Sequence, residues 1–126
     1  MAYKINKVPS ASGKNIVHLE WIGDVPVREM DEVNVKLKAM VKDYPKGWYI
    51  IPDVSKASMF SPEANEANVK QQQMFIDDIS ICAVVLPGSV IAKMQRSRTA
   101  KEAGNTKEQF FQSFEDALEV IEKHRG

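Results

Sequence analysis

The sequence predicts an α/β protein built on a single open, mostly parallel sheet of about five strands, with an antiparallel N-terminal strand and about four helices. Three observations carry this. The runs WYII at 48–51 and ISICAVVL at 79–86 are almost continuously apolar, the pattern of strands buried on both faces. Stretches of helical periodicity separate the apolar runs, so the strands they connect pair in parallel through crossovers. The first two strand-like stretches are separated only by PSASGKN, which is dense in turn formers and too short for a crossover, so they pair antiparallel.

Taken in order, residues 3–8 alternate weakly and read as a short edge strand. Residues 16–22 place Val17, Leu19 and Trp21 on one face and Ile16, His18, Glu20 and Ile22 on the other, the alternation of a half-exposed strand. His18 falls on the more polar face and is expected to be solvated. With no second histidine nearby and His124 in the C-terminal tail, a metal site is not expected.

Gly23-Asp24-Val25-Pro26 opens a helix, with Pro26 in its first turn and Val27, Met30, Val33, Leu37, Met40, Val41 and Tyr44 along one stripe. Pro45-Lys46-Gly47 stops it. The strand that follows should be near its end, or at an unpaired position, by Pro52, which has no N–H for a ladder. Ser61-Pro62-Glu63 then reads as a helix start: a hydroxyl at the N-cap, a proline at the first helical position and an acid on the positive end of the dipole. That helix, 62–76, carries Ala64, Ala67, Met74 and Phe75 among Asn65, Asn68 and Gln71 to Gln73, so its buried stripe is expected to be thin.

After the strand at 79–86, Pro87-Gly88 turns the chain and Ser89 caps an expected helix at 90–103. Lys93, Arg96, Arg98 and Lys101 form a basic face on it, either solvated or turned to an acidic or phosphate-bearing partner. A short strand at 106–111 and a helix opened by Ser113-Phe114-Glu115-Asp116 close the chain, with Phe114, Ala117, Leu118 and Ile121 as its apolar face.

Composition narrows the function classes. A chain of 126 residues with 44% hydrophobic and 27% charged residues suits one globular domain with one core. Seventeen basic residues balance 17 acidic ones, so no general positive field recommends nucleic acid as a partner. Cys82 lies within an apolar strand, where it reads as a small buried hydrophobe. The first ten residues contain no apolar segment of signal-peptide type, and no stretch reaches transmembrane length; a reducing cytoplasm without stable membrane insertion is the expected setting.

The stretch GWYIIPDVSKASMFSP at 47–62 concentrates the candidate site residues. An apolar strand stops at Asp53, and a serine-rich loop leads to a helix N-terminus, the place where α/β folds gather ligands and partners. Asp53, Ser55, Met59, Phe60 and Glu63 are the candidate partner- or ligand-binding residues, and Ser61 and Ser58 the candidate switch residues. Asp53, Asp77 and Asp78 lie at no spacing that pairs them with a base, a nucleophile or a ligand set, so no catalytic residue is named and the chain is expected not to be an enzyme.

The order of these motifs resembles a SpoIIAA-like, STAS-type domain, the superfamily of anti-sigma-factor antagonists. The resemblance runs from Ile16 to Lys123. It is carried by WIGD before the first helix, WYIIPDVS leading to Ser-Pro-Glu-Ala, the strand ICAVV, the helix IAKMQRSRTAKEAG and the ending FFQSFEDALEVI. In the regulatory branch of that superfamily, a serine or threonine in an Asp-Ser-Ser/Thr-Gly type segment, at the start of the helix after the central strand, is phosphorylated to control partner binding. Ser61 is the positional match; the acid before it and the glycine after it are absent. The resemblance implies a non-enzymatic regulatory module with a protein partner and no cofactor, and a homodimer is compatible with it. A related fold, that of the lipid-carrying CRAL-TRIO domains, implies the alternative: a carrier of a small apolar ligand, with a cavity lined from Trp48, Ile50, Val54, Met59 and Phe60.

Overall fold

The computed structural model describes residues 2–58, 60–86, 104 and 107–125. The expected helix at 90–103, with its basic face of Lys93, Arg96, Arg98 and Lys101, and Met59 of the serine-rich loop lie outside the described residues.

Five strands form one sheet in sequential order: β1 (Tyr3–Val8), β2 (Ile16–Gly23), β3 (Trp48–Ala57), β4 (Ile79–Val85) and β5 (Glu108–Phe111). β1 runs antiparallel to β2, and the remaining pairs are parallel. The two apolar runs are therefore neighbouring parallel strands, with β3 at the centre of the sheet. Three helices are described, α1 (Val27–Val41), α2 (Pro62–Phe75) and α3 (Phe114–Lys123).

Strand alternation divides the core between the two faces. Val17, Leu19, Trp21, Trp48, Ile50 and Val54 face α1 and α2, where they meet Met30, Val33, Leu37, Ala64, Ala67 and Phe75. Ile16, Tyr49, Ile51, Ile81, Ala83 and Val85 face α3, where they meet Ala117 and Ile121, with Phe114 and Leu118 partly buried beside them. Cys82 is fully buried, as its setting predicts.

Two expectations are resolved, at Pro52 and in α2. Of the two alternatives at Pro52 the unpaired position holds, and the strand runs on to Ala57. The N–H of Tyr49 donates to Asn15 on the β2 side, so alternation turns position 52 toward β4. There the ladder steps from Ile50 opposite Cys82 to Asp53 opposite Val85, and the missing donor costs one rung without ending the strand.

In α2 the expectation is corrected. Asn68, Gln71 and Gln72 are buried, not solvated. The Gln72 amide donates to Asn68 Oδ1 at 2.9 Å, and the Gln71 amide donates across to Asn34 Oδ1 of α1 at 2.8 Å. Buried amides are tolerated when they satisfy one another, and here they tie two helices together. Met74, expected on the buried stripe, is instead exposed.

Candidate functional site

The carboxyl ends of β2 and β3 hold two groups of polar side chains, one on each face of the sheet. On the α2 side, β3 leads through Ser58 and Phe60 to Ser61. The Ser58 N–H donates to the carbonyl of Gly23, which leaves β2 at φ +63°, a conformation that glycine adopts without a Cβ penalty. Ser61 caps α2: its Oγ accepts from the Ala64 N–H at 3.1 Å, and Pro62 takes the first helical position. Ser58, Ser61 and Glu63 are all exposed. Phe60 is partly buried, edge-on to Trp21 with ring centroids 6.1 Å apart.

Asp53 and Ser55, expected to belong to this loop, point to the other face, that of Tyr49 and Ile51. There the parallel register sets Asp53 opposite Glu20. His18, two residues earlier on the same face of β2, approaches Asp53 Oδ2 with Nε2 at 3.0 Å. The expectation of a solvated His18 is thus corrected. Its side chain is largely covered, and its ring lies against Phe114 at the start of α3, with centroids 4.5 Å apart. Glu20 Oε1 stands 3.9 Å from the same nitrogen, and Lys56 reaches Glu20 Oε2 at 3.5 Å.

Asp53 is only 6% exposed. Burial pushes its carboxyl upward, but the hydrogen bonds from His18 and Ser55 outweigh that cost and hold it below the usual value. Ser55 donates to Oδ1 through both its backbone N–H, at 3.0 Å, and its hydroxyl, at 2.6 Å. The Ser55 hydroxyl hydrogen-bonds to a carboxylate and not to an imidazole, so it lacks the base that would activate a serine nucleophile.

This cluster is not legible in the sequence, because parallel strand register, and not spacing along the chain, brings Asp53 beside His18 and Glu20. The signal that was present is modest: His18 and Glu20 at i and i+2 of one strand, and a lone acid following a run of apolar strand residues.

A third feature lies at the opposite end of the sheet. The last turns of α1 and α2 and the start of β3 enclose an open groove of about 650 Å³, lined by Val35, Lys38, Lys42, Tyr44, Trp48 and Met74 among others. The expected cavity residues Ile50 and Val54 do not line it. They are buried against the helices, and with Phe60 on Trp21 they fill the core.

Among solved structures, the chain is similar to an uncharacterized DUF3478-family protein from Shewanella loihica, described as having a SpoIIAA-like fold. The TM-score is 0.78 and the sequence identity 13%, over 95% of this chain and 94% of that one. The fold is SpoIIAA-like. No family model matches the sequence, and no curated protein does. At this identity the likeness concerns architecture, and the SpoIIAA-like arrangement is the one the motif order predicted.

Proposed function

We propose that this SpoIIAA-like domain is a non-enzymatic regulatory module that docks a protein partner through Ser58, Phe60, Ser61, Glu63 and the adjoining surface of α2, with phosphorylation of Ser61 as the control. One observation carries the reading: Ser61 is an exposed serine whose oxygen already sits on the N–H groups of a helix start, at the carboxyl end of the central strand. A phosphate there lies on the positive end of the α2 dipole, so it is compatible with the folded domain. It also adds close to two negative charges next to exposed Glu63, which changes the surface a partner meets.

The test is affinity capture from the native cell with Ser61→Ala and Ser61→Asp proteins, both checked for folding. The reading expects a protein held by the Ala variant and lost with the Asp variant. The same proteins recovered by both would refute control at Ser61.

A second reading, a carrier for a small apolar ligand, is favoured by the groove between the ends of α1 and α2. Its exposed Val35 and Met74 and its rim of Lys38 and Lys42 suit an apolar body with an acidic group. Ligand recovered from purified protein and lost on Met74→Lys would favour it over the docking module.

A further inference from the structure

We propose that His18, Glu20 and Asp53 form a binding site for a divalent transition-metal cation, with zinc as the cation best matched to their chemistry. The site is independent of Ser61, from which the sheet separates it. The three side chains come from two adjacent parallel strands and project to the same face, because His18 and Glu20 stand at i and i+2 and Asp53 is the register partner of Glu20. One donor atom from each lies within 4.8 Å of the other two, with His18 Nε2 at 3.0 Å from Asp53 Oδ2 and 3.9 Å from Glu20 Oε1. Tetrahedral zinc with bonds of about 2.0–2.1 Å needs its donors about 3.4 Å apart, a spacing that the observed separations of 3.0 and 3.9 Å bracket.

The surroundings are those that orient ligands. Ser55 occupies Asp53 Oδ1 with two hydrogen bonds, which leaves Oδ2 turned to the centre of the cluster. Phe114 packs on the His18 imidazole and limits its rotation. Neutral imidazole and two carboxylates together balance a double positive charge. Lys56, whose side chain is 65% exposed, is paired among the described residues to the outer oxygen of Glu20 and can withdraw into solvent. Three protein donors leave a fourth position open, and one nitrogen with two oxygens favours zinc, nickel or copper over magnesium or calcium.

The same trio could serve as a charge network with no cation, and the experiment separates the two. Full-length protein stripped with chelator is titrated calorimetrically with zinc chloride, and with magnesium chloride in parallel. Expected are one zinc per chain, no magnesium binding under the same conditions, and a rise in melting temperature with zinc that His18→Ala abolishes. Glu20→Gln, at a partly exposed position, should keep the fold and weaken zinc by at least about tenfold, while His124→Ala should leave the affinity unchanged. Failure of the parent protein to bind zinc at up to about 1 mM, or affinity indifferent to both His18→Ala and Glu20→Gln, would overturn the proposal. Because the Glu20 variant tests the site without disturbing buried Asp53, loss of folding in an Asp53→Asn protein would not obscure the result.

Discussion

At the residue scale, single side chains close the ends of elements. Ser61 satisfies one otherwise unpaired N–H of α2, so Ser61→Ala should lower stability by about 1 kcal/mol in denaturant unfolding, whatever its regulatory role. Glu122 fastens the β1–β2 turn to α3. Its carboxylate accepts from the hydroxyls of Ser10 and Ser12, the latter at 2.8 Å, and from the N–H of Ala11 at 2.7 Å. Hydrogen bonds from Ser10 and Ser12 outweigh desolvation and hold this carboxyl below its ordinary value. Its stabilising contribution is therefore complete above the ordinary glutamate pKa and fades as the pH falls through the lowered folded value. Melting temperatures measured from roughly pH 6 to pH 3 should fall more steeply for the parent than for Glu122→Gln, and parallel curves would contradict this. The Ser61 cap was legible in the sequence, because capping is decided by residues three apart. The Glu122 clamp was not, because it joins positions more than a hundred residues apart.

At the scale of elements, legibility depended on whether the physics was local. The apolar runs of β3 and β4 announced themselves, since burial on both faces leaves no polar alternation. At Pro52 the sequence allows either a strand end or an unpaired position, and pairing on both sides of the strand, which no local signal shows, decides for the second. The thin buried stripe expected of α2 follows from the polarity of its amides, which contact with one another and with Asn34 allows to be buried. α3 gave the expected apolar face, though only Ala117 and Ile121 are fully buried while Phe114 and Leu118 pack at the margin. Ile121→Ala should accordingly cost about 2–5 kcal/mol in denaturant unfolding, because it removes a fully buried side chain under the sheet. Truncation after Phe111 should cost more, since each such burial is worth ~1.5–3 kcal/mol against a typical margin of about 5–15 kcal/mol. A truncated chain that melts with the intact one would contradict the assigned role of α3.

At the scale of the whole molecule, helices packed on both faces leave the central strands among the least accessible of the described residues. Amide hydrogen exchange should be slowest at Ile81 to Val85 and at Tyr49 to Ile51, and exchange there as fast as at the chain ends would contradict the sheet order. The same layering separates the two polar groups at the carboxyl end of the sheet. Ser61 opens toward solvent on the side of α1 and α2, while His18, Glu20 and Asp53 gather on the side of α3. A linear reading joined Asp53 to the serine loop because they are close in sequence, and strand alternation sent them to opposite faces. Among the described residues no helix is long and apolar enough to cross a membrane. Proposed control of docking by Ser61 can be measured as the affinity of a captured partner for the domain with Ser61 unmodified and fully phosphorylated. Phosphorylation should weaken binding by at least about tenfold, or 1.4 kcal/mol, with the melting temperature of the domain maintained. Equal affinity for the two forms would contradict it.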